Sequence, residues 1–449
     1  MKGSKWLKWV VIAGVGLRLC LWSFQSSPEG DDGLRYLTES INLIDHGVFS
    51  TAQSDAPMPS AHDMPLWPGI MAAVYWATGS VPATQHIAGL INILLVVVGI
   101  IAMIALLRNK PFSFGDTQIT LGVAVLLFMP DTVIYSLFHM PDQLAVSSVI
   151  AALWLYFRGV NGSVTCLIGS FSAFVVAIYA KPICIPLALA FILALILVYE
   201  STWKKKLAMV VAGVAIVAIG LSPWMVRNKL AFGTAGITSI SGTNLYSCNW
   251  GRLAQLLPVG EKEAVLADME RFESEIADYD LMKRSKLMGK YAREQLMAHL
   301  PEYMIYTAKT HPRLYAGTGT VALLRYLGLE RTCDALDNMW SSGVARGYQV
   351  QYDAPYTFGE KALGAGVQIV SWLVLLGGYL LAAIGAVKSI RHYKDLSFGG
   401  YLLVLSPLLS IILLAAVIGP ITATRYRYIM IPFFAILAGY SAMSMQKKA

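Results

Sequence analysis

Seven ionisable residues lie at the ends of apolar runs, where acids and bases are uncommon. They are Asp31, Asp32, Asp142, Lys181, Arg227, Arg425 and Arg427. Ionisable groups at membrane depth are costly, so each of these residues needs an explanation. A carboxylate next to cations could act as a general base beside a pocket that binds a phosphate group.

Each of these residues also has an explanation that needs no chemistry. Asp32 could be a helix cap, and Asp142 could be stabilised by the dipole of the helix that it opens. The Lys181 side chain could extend to the membrane interface, and Arg425 and Arg427 could anchor it together with their neighbouring tyrosines. A functional role is favoured because all of these residues fall on one side of the predicted membrane topology.

The elements that hold these residues are predominantly apolar. Of the 449 residues, 56% are hydrophobic and 14% are charged, and the mean hydropathy is +0.58. A soluble protein is usually about 25% charged, so the sequence predicts an all-α protein that crosses the membrane many times. The net charge of +8 does not indicate nucleic-acid binding, because many Lys and Arg residues lie in short loops beside apolar runs, as the positive-inside rule predicts.

The apolar runs form two groups along the chain. They cover residues 6–24, 65–80, 83–107, 116–138, 141–158, 163–180, 182–200, 206–226, 362–387, 398–420 and 428–445. The basic clusters fall in the cytoplasm only if the run at 65–80, which contains Pro65, Pro68 and Gly69, inserts partially. We therefore predict about ten spans, with both termini in the cytoplasm.

This topology divides the chain into three parts. Residues 1–226 are predicted to form an N-terminal transmembrane catalytic module, which includes a first external loop at 25–63. Residues 227–361 would form a small extracytoplasmic segment of mixed structure, and residues 362–449 the C-terminal transmembrane helices.

Local patterns predict the structure of the two external parts. Residues 233–250 fit a loop with short extended pieces, 261–300 an amphipathic helix, and 301–315 a helix that lies in the interface. In the first loop, we expect Glu39, Asp45 and His46 on the solvated face of a short helix. Cys248 and Cys333 could pair in an oxidising compartment.

Several short motifs follow one another in a characteristic order. The first loop contains Asp31-Asp32-Gly33-Leu34-Arg35-Tyr36, Ile44-Asp45-His46-Gly47-Val48-Phe49-Ser50 and Met64-Pro65-Leu66-Trp67-Pro68-Gly69. Later motifs are Pro223-Trp224-Met225-Val226-Arg227-Asn228, Gly242-Thr243-Asn244-Leu245 and Arg425-Tyr426-Arg427-Tyr428. Over nearly the whole chain this order resembles the GT-C superfamily of polytopic glycosyltransferases, in particular its bacterial protein-mannosyltransferase-like and aminoarabinose-transferase-like branch. The resemblance implies a GT-C-like transmembrane helix bundle.

The resemblance also implies catalytic roles for three aspartates. Asp32 matches the general base of the family, because a tyrosine, here Tyr36, follows it four residues later. Asp31 is the competing candidate for that role. Asp142 matches the second acid of the family, at the external end of a later span.

The same resemblance implies two sets of binding residues. Lys181, Arg425, Arg427 and Arg227 are expected to bind the donor phosphate. Tyr36, His62 and Asn244 are expected to bind substrate. Relatives often have Lys or Arg in the place of Met64, so phosphate binding is expected to depend more on Lys181 and the C-terminal arginines.

The activity implied by the resemblance is an inverting transfer of a hexosyl or pentosyl group. The donor would be a polyprenyl-phosphate-linked sugar, and the acceptor a glycan, lipid or protein at the outer face of the bacterial inner membrane. We predict no cofactor and no catalytic metal, because a single phosphate that faces cationic side chains has less need of a divalent ion. The alternatives are a polymerase or ligase of lipid-linked saccharides and a flippase, the latter disfavoured because the polar groups lie at span ends.

Overall fold

The computed structural model describes residues 5–25, 31–199, 201–340, 355–391, 418–421 and 423–443, and within these ranges the chain is helical without strands. The first ten α-helices are α1 (Lys5–Ser23), α2 (Asp31–Asp45), α3 (Leu66–Thr78), α4 (Val81–Arg108), α5 (Asp116–Phe128), α6 (Pro130–Tyr135), α7 (Asp142–Val160), α8 (Val164–Ala180), α9 (Ile185–Val198) and α10 (Trp203–Phe232). A 3₁₀ turn, Pro182–Cys184, separates α8 from α9.

In the described part of the chain, the later helices are seven between residues 240 and 340 and three nearer the C-terminus. They are α11 (Ile240–Asn244), α12 (Gly251–Ala254), α13 (Val259–Glu275), α14 (Leu281–Ala298), α15 (Leu300–Ala316), α16 (Thr320–Tyr326), α17 (Glu330–Trp340), α18 (Phe358–Arg391), α19 (Arg425–Tyr428) and α20 (Ile431–Ser441). A π-helical turn, Leu245–Trp250, connects α11 to α12.

The protein is a multi-pass membrane protein. In the described ranges five helices, α1, α4, α7, α10 and α18, are long and apolar enough to cross a bilayer. Four shorter apolar helices, at Asp116–Phe128, Val164–Ala180, Pro182–Leu197 and Ile431–Ser441, accompany them. The predicted run at 398–420 lies almost entirely outside the described residues, so the total of about ten spans stays a prediction.

Helix α3 is too short to cross the membrane. Its 13 residues follow Pro65 and end at Gly79, which adopts the left-handed conformation. At 1.5 Å per residue the helix is about 20 Å long, whereas the hydrocarbon core is about 30 Å thick. This length fits the partial insertion predicted for the run at 65–80.

The C-terminal helix α20 packs between N-terminal and C-terminal elements. Its neighbours α5 and α18 approach it through glycines that leave no space for a side chain. A Cβ on Gly122 would lie 2.8 Å from the carbonyl oxygen of Ala435, and one on Gly385 would lie 1.8 Å from that of Leu437. This packing joins the end of the described chain to the N-terminal helices, and it brings α19 to the same region.

The segment that follows α10, predicted to be external, has a small core of its own. Aromatic and apolar residues of the π-helical turn, α12, α13 and α14 pack together, with Tyr246 and Trp250 almost fully buried. The amphipathic helix expected at 261–300 is confirmed as two helices, α13 and α14, and the helix expected at 301–315 is confirmed as α15.

Two local expectations differ from the structure. Residues 233–239 are irregular, as expected of a loop, but 240–250 form α11 and the π-helical turn instead of a loop with extended pieces. Helix α10 continues through Pro223 to Phe232, so the boundary at 226 falls within a helix. The pairing of Cys248 with Cys333, which the sequence left open, is not formed.

Candidate active site

Asp32 lies at the centre of an ion-pair network in the segment between α1 and α3. Helix α2 begins at Asp31, so Asp32 is in its first turn, and Arg35 follows one turn later on the same face. The Arg35 guanidinium donates to Asp32 at 2.6 Å, and to Asp63 at 2.5 and 3.2 Å. The second oxygen of Asp32 forms an ion pair with Arg425 of α19.

A second acid–base pair lies beside this network. The Lys181 ammonium group donates to Asp142 at 2.5 Å, and both side chains are largely buried. The ring of Tyr426 links the two pairs, because its centroid lies 5.4 Å from the Lys181 nitrogen and 5.6 Å from the Arg425 guanidinium carbon. The structure therefore brings together four residues that are far apart in the sequence.

Helix ends position each of these groups. Asp142 is the first residue of α7, directly after Pro141, where the helix dipole stabilises a carboxylate. Lys181 is the residue after α8, and Pro182 prevents the helix from continuing. The helix-dipole explanation considered for Asp142 is therefore compatible with the ion pair that it forms with Lys181.

The electrostatics of the network keep Asp32 ionised. Burial disfavours its carboxylate, but the charges of Arg425 and Arg35 outweigh this effect and lower the pKa of Asp32 below its usual value. Asp63 has a lowered pKa for a similar reason, because hydrogen bonds from His62 and Arg35 outweigh its burial. Asp32 is therefore a carboxylate at neutral pH, as a general base must be.

A cavity of about 720 Å³ opens next to the network. One side of it is formed by residues 35–36, 62–64, 180–183, 185–186, 418, 421 and 425–426, and the opposite side by parts of 234–249 and by α14. The volume is in the range of small-molecule binding sites. Within the described residues, no group of three or more His, Cys, Asp or Glu side chains is arranged to hold a metal ion.

Five of the predicted site residues line this cavity, and two more contact residues that do. Lys181, Arg425, Tyr36, His62 and Asn244 are part of its lining. Asp32 contacts the lining residues Arg35 and Arg425, and Asp142 contacts Lys181. The side chain of Asp31 is outside the described part of the structure.

Arg227 and Arg427 are placed elsewhere. The Arg227 guanidinium donates to the carbonyl oxygen of Ser60 at 2.7 Å and stacks on the Trp224 ring at 4.8 Å. Arg427 is completely buried and donates to both oxygens of Asp131, at 2.6 and 2.7 Å. Neither residue lines the cavity.

Several residues were not recognised in the sequence. Arg35 and Asp63 were overlooked as site residues, although both lie in or beside the motifs. Lys286 and Arg293 of α14 line the cavity, and their spacing of seven residues puts them on one helix face. Glu39 was expected to be solvated, but it is fully buried against the network, so that expectation was wrong.

Comparisons with known proteins provide an independent test of the fold. The sequence matches no protein-family model and no curated protein. Solved structures of the oligosaccharyltransferase AglB from Archaeoglobus fulgidus are similar in fold. One of them, in complex with an inhibitory peptide and a dolichol-phosphate, matches at 13% identity with a TM-score of 0.53, over 97% of this chain and 50% of that chain.

Two further solved structures match. A structure of the Archaeoglobus fulgidus oligosaccharyltransferase tethered to an acceptor peptide with the NVT sequon has a TM-score of 0.52 and 12% identity, over 98% of this chain and 49% of that one. A structure of ArnT from Cupriavidus metallidurans bound to undecaprenyl phosphate has 17% identity and a TM-score of 0.41, over 96% of this chain and 77% of that chain. The chain thus spans about half the length of the oligosaccharyltransferase.

The similarity to the oligosaccharyltransferase defines the class of this protein as a polytopic helix bundle with the GT-C fold. The predicted fold class is therefore confirmed. At this level of identity the similarity establishes the fold alone, and membership of the superfamily and of its branch stays a prediction.

Proposed function

We propose that this protein is an integral membrane glycosyltransferase that uses a polyprenyl-phosphate-linked sugar as its donor. The observation that carries this proposal is the pairing of Asp32 with Arg425 and of Asp142 with Lys181, beside one large cavity. The site combines an ionised carboxylate, which can accept a proton, with cations that can bind a phosphate group. Its position at helix ends suits a lipid carrier, whose phosphate lies at the membrane surface. We place it on the extracytoplasmic face of the bacterial inner membrane.

In the proposed reaction, Asp32 accepts the proton of an acceptor hydroxyl. The hydroxyl oxygen forms a bond to the anomeric carbon while the bond from that carbon to the phosphate oxygen breaks. The electron pair of the broken bond remains on the phosphate oxygen, so the carrier leaves as a polyprenyl phosphate with one additional negative charge. Attack opposite to the leaving group inverts the configuration of the anomeric carbon.

Lys181 and Arg425 would stabilise the charge that develops on the leaving phosphate. Both are held in place before the reaction by carboxylates, which reduces the cost of ordering them. Loss of one such donor typically lowers a rate by about 10²–10³. Because Arg427 and Arg227 are bonded to protein groups away from the cavity, we assign them positioning roles instead of phosphate binding.

The solved structures of similar fold agree with this proposal in their ligands. One oligosaccharyltransferase structure holds a dolichol-phosphate and an inhibitory peptide, and another holds a tethered acceptor peptide. Those ligands belong to that enzyme, which is about twice as long as this chain. The sugar and the acceptor of this chain are therefore not inferred from them.

The test is the Asp32→Asn variant of the purified full-length chain. A radiolabelled polyprenyl-phosphate sugar is the donor, and membranes of a strain that lacks the protein supply the acceptor. We expect transfer to fall by about 10²–10⁴, because the amide cannot accept the proton. Asp45→Asn on the exposed end of the same helix is the matched control and should retain activity. Undiminished transfer by Asp32→Asn would refute the assignment of the base.

A further inference from the structure

One wall of the cavity is formed by one face of α14. Met282, Ser285, Lys286, Gly289 and Arg293 all line the cavity. Their spacing of three or four residues, with Ser285 and Lys286 adjacent, is that of a single helix face. Lys286 and Arg293 are the charged members of this face.

A close helix contact fixes the orientation of this face. Helix α14 crosses α11 at Gly242, where a Cβ would lie only 1.9 Å from the carbonyl oxygen of Ser285. A Cβ on Gly289 would lie 3.2 Å from the Cα of Gly242. Because the two backbones are in contact here, α14 cannot rotate without losing the crossing, and its two cations stay directed at the cavity.

The charges on the opposite side of the cavity are balanced. Three cations, Arg35, Arg425 and Lys181, form ion pairs with three carboxylates, those of Asp32, Asp63 and Asp142. The imidazole of His62 lies 3.2 Å from Asp63 as an additional partner. This side of the site therefore has little net charge before a substrate binds.

The cations of α14 are not balanced in this way. Within the described residues neither Lys286 nor Arg293 forms an ion pair, and no carboxylate of the external segment lines the cavity. Of the three cations of this helix that do not line the cavity, Lys290 lies 3.9 Å from Glu294 and Lys283 lies over the Tyr279 ring. The third, Arg284, forms no ion pair within the described residues and is not part of the cavity lining. Two uncompensated positive charges therefore face the cavity from the side of α14.

We propose that Lys286 and Arg293 form a second anion subsite, which binds a phosphate group of the acceptor. This inference rests on the proposed function, because it distinguishes the acceptor from the lipid-linked donor. The donor phosphate reaches Lys181 and Arg425 from the membrane, whereas α14 belongs to the external segment and is reached from water. Thr234, Thr238 and Ser241 line the same side and provide hydroxyl groups for such a ligand.

The experiment uses ³¹P NMR of the full-length chain in a detergent that contains no phosphorus. Undecaprenyl phosphate is the donor probe and inorganic phosphate the probe for the second subsite, and their signals are separate in one spectrum. Lys286→Gln with Arg293→Gln should weaken binding of inorganic phosphate about tenfold or more, since charge-assisted hydrogen bonds are lost. Binding of undecaprenyl phosphate should be unchanged.

Two control variants accompany this one. Lys283→Gln with Lys290→Gln removes the same charge from the same helix, so it separates a site from a general electrostatic effect, and it should leave both signals unchanged. Lys181→Gln should weaken binding of undecaprenyl phosphate and leave binding of inorganic phosphate unchanged.

Three results would overturn the subsite. In the first, the wild-type protein binds undecaprenyl phosphate but not inorganic phosphate. In the second, binding of inorganic phosphate survives the loss of Lys286 and Arg293, or falls equally in the Lys283/Lys290 control. In the third, the Lys286/Arg293 variant loses binding of undecaprenyl phosphate. The last result would assign the two cations to the donor. If the wild-type protein binds only inorganic phosphate, through Lys286 and Arg293, the proposed function fails and the anion subsite remains.

Discussion

Asp32 shares its carboxylate between two arginines that come from opposite ends of the chain. Arg35 is on the same helix as Asp32, whereas Arg425 belongs to α19. Both arginines lower the pKa of Asp32, so it is ionised at neutral pH. The same contacts reduce its basicity, and a bound phosphate that attracts Arg425 would restore part of it.

Glu39 lies one turn after Arg35 on the same helix, and its environment shifts its pKa in the direction opposite to that of Asp32. Burial, together with the charge of Asp63, raises the pKa of Glu39 well above its usual value. Within the described residues neither of its carboxyl oxygens has a hydrogen-bond partner. A group whose pKa is raised in the folded state stabilises the fold fully below its unfolded pKa of about 4.5, and this stability is lost as the pH rises towards the folded pKa.

Glu39→Gln should therefore become relatively more stable as the pH rises. The amide has a similar shape and does not ionise, so the difference in unfolding free energy between variant and wild type should increase by up to about 1.4 kcal/mol per pH unit. Thermal unfolding midpoints between about pH 5 and pH 8 measure this difference. A difference that is constant or decreases over this range would show that Glu39 is ionised in the folded protein.

At the residue scale, the sequence was sufficient to identify several candidate site residues, but not to predict which residues they contact. Asp32, Asp142, Lys181 and Arg425 were recognisable because charged groups at the ends of apolar runs need an explanation. Arg427 stands in the same motif as Arg425 and could not be separated from it, since only the fold determines that one side chain faces Asp32 and the other Asp131. Glu39 was misjudged because its burial depends on packing between distant helices.

Elements were predictable where one physical signal dominated. The long apolar helices and α3 followed from hydropathy and from prolines, and α13 to α15 from their amphipathic pattern. The segment at 240–250 was misjudged, because its Gly, Ser, Thr and Asn residues favour loops locally. Helical structure is favoured there by contacts with α14, and those contacts depend on the close approach at Gly242.

Helix α18 offers a matched pair of glycines for testing how α20 is held. Gly385→Ala should destabilise the protein by about 1–3 kcal/mol, because the added Cβ would lie 1.8 Å from the carbonyl oxygen of Leu437. Gly366→Ala on the same helix meets no atom within 4 Å and should stabilise by about 0.5–1 kcal/mol. Unfolding midpoints of the two variants measure the contrast. Equal effects would mean that α18 and α20 are not packed closely at Gly385.

The whole molecule depends on a buried ion pair that joins distant parts of the chain. Asp131 and Arg427 are 296 positions apart, and both are fully buried. Arg427 also donates to the carbonyl oxygens of Leu314 and Gly317, at 3.0 and 2.8 Å. One side chain thus links α6, α19 and the end of α15.

Arg427→Met should reduce stability by about 3–5 kcal/mol, because the carboxylate of Asp131 would be left buried without its partner. Replacing both residues, with Asp131→Leu in addition, should restore most of this loss. Arg425→Met is the comparison: its partner Asp32 is partly exposed, so stability should change less while transfer falls strongly. Unfolding midpoints and transfer rates of the three variants separate the positioning role from phosphate binding. A stable Arg427→Met variant without transfer would favour phosphate binding by Arg427 instead.

The ion pair between Asp32 and Arg425 has a consequence for the synthesis and membrane insertion of the protein. A ribosome delivers the aspartate to the membrane early, and the arginine only after almost all the other helices have been inserted. Until then the nascent chain has an incomplete centre, and products of interrupted translation that contain the first loop should be inert. The segment that contains Arg425 thus determines when the site is complete.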